Sequence, residues 1–389
     1  MKARSQLLWR TSAVAAITVF CAIGSYAAPL PHYLITNNDT SFSTSLSGNS
    51  ATFFTIMHNG LLKEAAVVNT GGTGIDGIGS TATRRVSVLH SSSQDCVFIS
   101  DAGTNDVAGI SISTLTATGT FPASSTDNAS SGLGVANNGN FLFANFTGSQ
   151  TIATYQISTG CTLTFIGDTA AVGAQTFGTI IDMAVHGNVL VASFTDGSIE
   201  SFNIAGGTPV PNGDLQFSTS HTQNGVGPND VDITADGHFA IFGDGGSQGA
   251  VEVSDLSSGK LQPTVVYPNI GPADAYSAVW LSPDETLLYI SNFSVRQITA
   301  AHFDAATGVV TAGCSAPLKG NNFESGLATA GTSGSGGTLY VAEPEVQIAI
   351  VSVAVSGGSC ALQESPKSPA NDLHTQTLQS IAAFPPRPF

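Results

Sequence analysis

The chain has 389 residues, of which 10% are charged and 42% are hydrophobic, and its formal net charge is −16. This apolar fraction excludes an intrinsically disordered chain, because enough side chains are present to form an extensive core. The 43 glycines and the abundance of Ser, Thr and Val favour strands over helices. A surface this acidic repels nucleic acid and anionic lipid, so we expect neither as a partner.

The first 27 residues have the pattern of an export signal. A basic start with Lys2, Arg4 and Arg10 precedes an apolar run, and small residues at the usual spacing end the pattern at Ala27. We predict a signal peptide over 1–27 and a secreted or periplasmic protein that leaves the membrane after cleavage; an uncleaved anchor is the alternative. Cleavage would remove three positive charges and no negative ones, which takes the net charge from −16 to −19.

Four cysteines follow the predicted signal, at Cys96, Cys161, Cys314 and Cys360. An even number in an exported chain is compatible with two disulfides, and three pairings are open. Buried free thiols are the alternative. No Cys-x-x-Cys pair occurs, which argues against a zinc ribbon.

A short apolar strand with one pattern recurs along the chain, in chain order as CVFIS, FLFAN, VLVAS, FAIFG, LLYISN and TLYVAE. Equivalent positions in these strands are Ser100, Ala144, Ala192, Phe242, Ser291 and Ala342. The steps between them are 44, 48, 50, 49 and 51 residues, and HYLITN adds a seventh copy at Thr36, 64 residues before the first of them. A nearly constant period of this length indicates a repeat architecture.

Each repeat predicts four antiparallel strands, because alternating apolar runs are separated by turns rich in Gly, Asn and Asp. Four-stranded units of this length are typical of propeller blades. The first unit, which starts at Tyr33, lacks an innermost strand, and LQSIAAF at 378–384 is a spare one. We therefore predict an all-β, seven-bladed β-propeller over 30–389, in which this C-terminal strand completes blade one and leaves no long open sheet edge.

Two stretches resemble a known family. LSPDETLLYISNFSVRQITAAHFDAATGVV and GVGPNDVDITADGHFAIFGD are similar to repeats of the seven-bladed lactonase-like propellers, which include 6-phosphogluconolactonase-type and carboxymuconate-cyclising members. The resemblance implies action on a small anionic lactone. Where the family has an Arg-His pair, this chain has Asn229 and Asp230, and where the family has Asn-Glu it has Gly243 and Asp244.

Propellers bind ligands at the mouth of the axial channel, where the loops between blades meet those that join second and third strands. There we predict three catalytic residues, His221, Asp230 and Arg296. A histidine or a carboxylate can move a proton at neutral pH, and an arginine can hold a substrate carboxylate through two hydrogen bonds. The plainer alternatives are a solvated loop histidine, an aspartate that ends a strand, and an arginine that neutralises acids.

The predicted substrate-binding residues lie at strand ends or between blades on the same face. They are Arg84, Asp101, Asn145, Asn229, Asn292 and Glu343. Arg84 is the second candidate for holding a substrate carboxylate. Acidic residues at this mouth could hold Ca²⁺, but no Asp-x-Asp-x-Asp-Gly loop is present, so we predict no metal and no cofactor.

Two functions stay open at this point. The first is an exported lactonase-like enzyme that hydrolyses or cyclises a small anionic lactone. The second is a non-enzymatic exported propeller, whose polar loop at 37–50 would bind a protein or a glycan. In either case we expect a monomer.

Overall fold

A computed structural model describes residues 32–40, 48–75, 84–129, 132–175, 178–219, 228–244, 251–270, 277–292, 296–319, 327–330, 337–343, 346–356, 358–375, 378 and 380–387. At 229, 244, 277, 292 and 327–330 it describes the backbone alone. The predicted signal peptide and His221 lie outside the described residues. The described part of the chain forms strands and turns, and it contains no helix that could cross a membrane.

The described strands form seven antiparallel sheets, which we number as blades 1 to 7. Blade 1 contains β1 (Tyr33–Asn37), β2 (Ser50–Ile56), β3 (Leu62–Asn69) and, from the other end of the chain, β30 (Ile381–Phe384). Blade 2 contains β4 (Val86–His90), β5 (Asp95–Asp101), β6 (Asp106–Ser111) and β7 (Thr116–Pro122). Blade 3 contains β8 (Leu133–Asn137), β9 (Phe141–Phe146), β10 (Thr151–Ser158) and β11 (Thr162–Ala170).

The outer strands of blades 4 and 7 are divided into two segments each. Blade 4 contains β12 (Ile180–His186), β13 (Val189–Phe194), β14 (Ser198–Asn203), β15 (Val210–Pro211) and β16 (Gln216–Phe217). Blade 5 contains β17 (Pro228–Ile233), β18 (Phe239–Asp244), β19 (Val251–Asp255) and β20 (Val265–Tyr267). Blade 6 contains β21 (Ser277–Leu281), β22 (Leu287–Asn292), β23 (Gln297–Asp304) and β24 (Val309–Pro317). Blade 7 contains β25 (Leu327–Ala330), β26 (Gly337–Glu343), β27 (Gln347–Ser356), β28 (Ser359–Glu364) and β29 (Ala370–Asn371).

The predicted closure of the ring is confirmed. Strand β30 pairs with β1 in antiparallel register, from Thr36 opposite Ile381 to Tyr33 opposite Phe384. The inner strands then follow one another around the axis in the order β4, β8, β12, β17, β21, β25 and β30, and β30 contacts β4 again. The closing strand is shorter than predicted, because regular pairing begins at Ile381 rather than at 378.

Burial on both faces explains why the second strand of each repeat is so apolar. Each blade packs between two others, so strands such as β5 and β9 are buried along almost their whole length. The outer strand β11 instead alternates mostly between partly buried and exposed positions. Between blades 1 and 2, Val97 and Ile110 pack in one cluster with Ile35, Phe53 and Phe384.

The structure selects one disulfide pairing from the three that the sequence left open. Cys96 in β5 bonds to Cys161 in the turn between β10 and β11, and Cys314 in β24 bonds to Cys360 in β28. The first disulfide joins blades 2 and 3, and the second joins blades 6 and 7. Both therefore hold neighbouring blades together.

Replacing Phe384 tests how much the closing strand stabilises the ring. Its side chain is 1% exposed and belongs to the core between blades 1 and 2. We expect Phe384→Ala to lower the free energy of unfolding by about 3–5 kcal/mol, since it removes a buried aromatic ring and leaves a cavity. Urea denaturation followed by circular dichroism measures the change.

The matched control is Phe217→Ala on the outer edge of blade 4, where the side chain is 41% exposed. We expect it to change the free energy of unfolding by less than about 1 kcal/mol. Equal effects of the two substitutions would contradict a closing role for Phe384.

Candidate functional site

The axial channel has two distinct ends. We call the end where the inner strands begin the upper mouth, and the end where they finish the lower exit. Val86, Ile180 and Pro228 begin three inner strands at the upper mouth, and Ile233 and Leu281 end two of them at the lower exit. The loops between blades and those between second and third strands surround the upper mouth.

Arg84 extends from blade 2 across the channel near its upper mouth. Its Nε donates to Asp182 Oδ1 at 3.3 Å, and its Nη2 donates to Asp182 Oδ2 at 3.2 Å and to the carbonyl of Val231 at 2.9 Å. The guanidinium carbon lies 5.2 Å from the ring centroid of Trp280, within range of a cation–π interaction. One side chain therefore contacts blades 4, 5 and 6.

The charge on Arg84 is stabilised by its surroundings. Burial lowers the pKa of Arg84, but the carboxylates of Asp182, Asp230 and Asp232 together raise that pKa by more, so the net shift is upward. The side chain is still 20% exposed. Its Nη1 has no hydrogen bond to any described residue, which leaves donors for a ligand.

Asp182 and Asp230 form a buried pair of carboxyl groups beside this guanidinium. Burial raises the pKa of Asp230 well above its usual range, and the charge of Asp182 and a hydrogen bond to Asp182 raise it further. Two neighbouring carboxyl groups in a desolvated site cannot both ionise easily. The raised pKa of Asp230 favours its protonated form, which can donate a hydrogen bond to Asp182.

The same aspartates also connect the inner strands of neighbouring blades. Asp182 Oδ2 accepts from the backbone N–H of Val231 at 3.1 Å, and Asp230 Oδ2 accepts from that of Val279 at 2.9 Å. Asp232 Oδ2 accepts from Leu281 N at 2.9 Å. In each case the donor follows the acceptor by 49 residues, which is one repeat. Part of the reason for aspartate at these positions is thus structural.

A cavity of about 70 Å³ lies in the channel below Arg84. Its polar wall includes Arg84, Asp232, Trp280 and Arg387 as well as Ser87 and Asn137, and alanine and valine side chains of the inner strands form most of the rest. This volume suits a few water molecules and is too small for a sugar-sized lactone. A larger ligand would have to bind above Arg84, at the upper mouth.

Two predicted substrate-binding residues instead form contacts between blades. Asp101 is buried, and its Oδ1 accepts from Asn49 Nδ2 at 2.8 Å and from the Thr70 hydroxyl at 2.9 Å. Asn49 directly precedes β2 and Thr70 directly follows β3, so both donors belong to blade 1. Asn145 is 1% exposed; its Oδ1 accepts from Gly134 N, and its Nδ2 donates to the carbonyl of Ile180 in blade 4.

The other four predicted residues within the described ranges lie in strands or turns, and they are Arg296, Glu343, Asn229 and Asn292. Arg296 is exposed in the turn between β22 and β23, at the rim of the upper mouth. Glu343 is buried at the end of β26. The structure describes only the backbone of Asn229 in β17 and of Asn292 in β22. Of the nine predicted site residues, Arg84 and Asp230 are the two that the described structure brings together.

Sequence reasoning did not single out Asp182, Asp232, Trp280 or Arg387. A signal for Asp182 was present, because IDMAV and NDVDIT place an aspartate at equivalent positions of successive repeats. Among the described residues, no group of three or more His, Cys, Asp or Glu is arranged to hold a metal ion.

Comparisons with known proteins identify the fold. No family model and no curated protein matches the chain. A periplasmic gluconolactonase from Pseudomonas aeruginosa has a TM-score of 0.64 at 14% identity, with 90% of this chain and 99% of that chain covered. A Bacteroides fragilis protein assigned as a 6-phosphogluconolactonase has a TM-score of 0.65 at 16% identity, with 90% and 98% covered. The structure resembles the 6-phosphogluconolactonase-like seven-bladed propellers.

A Lactobacillus plantarum protein gives the same result, with a TM-score of 0.65 at 14% identity and 91% and 100% of the two chains covered. At these identities the similarity establishes the architecture alone. The fold expected from the family resemblance is confirmed.

Raised carboxyl pKa values make the stability of this protein depend on pH. Burial, and then the charge of Asp106, raises the pKa of Asp101, while burial and Asp182 raise that of Asp230. A pKa that is higher in the folded chain stabilises the fold below the unfolded value of about 4, and this stabilisation is lost as pH rises through the folded value. We expect the free energy of unfolding, measured in urea, to fall between about pH 5 and about pH 8.

Asp101→Asn should flatten this dependence, because an amide can keep the hydrogen bonds but cannot ionise. Asp304→Asn is the matched control in an exposed turn. Hydrogen bonds from Thr307 lower the pKa of Asp304, so its titration lies below the measured window and the wild-type slope should persist. A free energy that rises between about pH 5 and about pH 8 would contradict the prediction.

Proposed function

We propose that this protein is a lactonase-like enzyme that opens, or in the reverse direction closes, a small anionic lactone at the upper mouth of its channel. The observation that carries the proposal is the buried carboxyl pair of Asp182 and Asp230 directly beside Arg84, in which burial and the charge of Asp182 raise the pKa of Asp230. Such a pair supplies an acid and a base at one pH.

The hydrolytic step needs both members of the pair. Water attacks the carbonyl carbon of the lactone while the Asp182 carboxylate takes a proton from it. The bond between that carbon and the ring oxygen then breaks, and Asp230 gives its proton to the ring oxygen. The product is an open hydroxy acid, and the pair again holds a single proton, which returns to Asp230 through their hydrogen bond.

Arg84 explains why the substrate should be anionic. Its Nη1 donors are unused by the described residues, and a guanidinium binds carboxylate or a developing oxyanion through charge-assisted hydrogen bonds. Arg296 at the rim of the mouth is the second positive group that would attract such a substrate. We keep His221 as a proposed catalytic residue and Asn229 and Asn292 as proposed substrate contacts.

The fold supports the substrate class by analogy, because propellers of the same architecture include a periplasmic gluconolactonase and a protein assigned as a 6-phosphogluconolactonase. The predicted signal peptide agrees with a secreted or periplasmic location, which is part of the proposal. Activity in a periplasmic or secreted fraction would support that part.

Acid release from a panel of lactones, followed by pH-stat titration, tests the proposal. We expect Asp230→Asn, which keeps the size of the side chain and removes its acid, to lower kcat/KM by about 100-fold or more. Arg296→Ala should raise KM with little change in kcat. Asp304→Asn, in an exposed turn opposite the mouth, is the control and should retain wild-type rates.

The non-enzymatic alternative gives a different result in the same experiment. No acid release from any lactone, together with saturable binding of a glycan or protein, would overturn the proposal. Wild-type rates in folded Asp230→Asn would overturn the role of the carboxyl pair. Circular dichroism and thermal unfolding establish that each variant is folded.

A further inference from the structure

We propose that the segment 385–387 is a plug for the lower exit of the channel, locked by Arg387, so that ligands and solvent reach the channel through the upper mouth alone. This inference stands on the geometry of the C-terminal segment and is independent of the lactonase proposal.

The segment starts at the lower exit and turns towards the axis. Phe384 ends β30 there, and its ring lies 5.6 Å from that of His90, which ends β4. Two prolines follow, and their restricted φ angles limit the ways in which the segment can move. Pro386 and Arg387 then form part of the wall of the channel cavity. The chain therefore passes under the cavity rather than away from the molecule.

Arg387 fixes this position by contacts on the far side of the ring. Its Nη1 donates to Asp232 Oδ2 at 2.9 Å and its Nη2 to Asp232 Oδ1 at 3.1 Å, a two-bond arrangement. Nη2 also donates to the carbonyl of Ile233 at 2.6 Å, and Nη1 to that of Leu281 at 3.4 Å. The segment begins in blade 1 and is thus attached to the ends of the inner strands of blades 5 and 6.

The ion pair is almost completely removed from solvent. The side chains of Arg387 and Asp232 are 1% and 4% exposed. A buried ion pair of this kind is costly to break, because either partner alone would be left as an unpaired buried charge. The plug is therefore held in a single position rather than resting loosely on the surface.

Neighbouring titratable groups are compatible with the buried guanidinium. Burial lowers the pKa of His186, the charge of Asp236 partly offsets this, and Arg387 lowers the pKa further, so the neutral form that does not repel the plug is favoured. Burial raises the pKa of Glu285, and the hydrogen bond from the Ala235 backbone and then the charge of Arg387 partly offset this rise. These groups belong to blades 4 and 6.

The fluorescence of Trp280 reports whether the plug closes the lower exit. The sequence contains two tryptophans, Trp9 and Trp280, and Trp280 lines the cavity together with Arg84 and Arg387. In the full chain carrying Trp9→Phe in every sample, Trp280 is the sole source of tryptophan fluorescence. Quenching by acrylamide, a small neutral molecule, then measures access to the cavity without an effect of net charge.

We expect weak quenching in the parent protein and a several-fold larger quenching constant in Arg387→Ala, because the lower exit opens. Asp232→Asn should also raise the quenching constant, because it removes the other partner of the ion pair. The sequence of segment 385–387 is unchanged in this variant. Arg296→Ala is the matched control, since it removes the same charge from the rim of the upper mouth and should leave quenching at the parent level.

Unchanged quenching in both Arg387→Ala and Asp232→Asn, with circular dichroism showing folded protein, would overturn the plug. Parent quenching as strong as that of free tryptophan would also overturn it. If Arg387→Ala does not fold, Asp232→Asn alone decides, because the asparagine keeps the hydrogen bond from Leu281 N and removes the ion pair.

Discussion

The pairing of β30 with β1 is the interaction on which the rest of this structure depends. A ring of blades has no free sheet edge only if the first and last units share hydrogen bonds, and here four residues near the C-terminal end supply them. Closure brings the inner strands of blades 2, 4, 5 and 6 around one axis. Arg84 can reach Asp182 and Val231, which are 98 and 147 residues away in sequence, because these strands face one another.

Charge compensation in the channel follows from that arrangement. Two guanidinium groups, Arg84 and Arg387, face the carboxyl groups of Asp182, Asp230 and Asp232. Arg85 is also fully buried, against Asp39. Three of the four arginines beyond residue 27 are therefore paired with aspartates in the interior of an acidic protein.

Sequence periodicity predicted the ring but not the centre of the channel. The repeat and the spare strand at 378–384 were sufficient for the blade count and the closure, because both depend on local patterns that recur. The pairing of Arg84 with Asp182 depends on how blades 2 and 4 face each other across the axis, which no local pattern contains. Arg387 lies beyond the last repeat strand and matched no motif. Asp230 was predicted from its position among the loops at the channel mouth, and its raised pKa depends in part on Asp182, a neighbour one repeat earlier.

Cysteine pairing shows the same limit in another way. Cys96 lies in β5 of blade 2, and Cys161 lies in a turn of blade 3. The distance between them therefore depends on how these two blades pack against each other. Counting cysteines indicated that two bonds were possible and left three pairings. Selecting one of them required the positions of the blades.

The separation of β1 from its partner has a consequence for the order of events during synthesis. Thr36 and Ile381 are opposite each other in blade 1, yet all six other blades lie between them in the chain. Blade 1 is therefore the first blade to begin and the last to be completed. It has only β1, β2 and β3 until the C-terminal strand β30 has been synthesised. Contacts of such long range close slowly, because the intervening chain must first be ordered. Until then the nascent molecule is an open arc with an unpaired strand at its start.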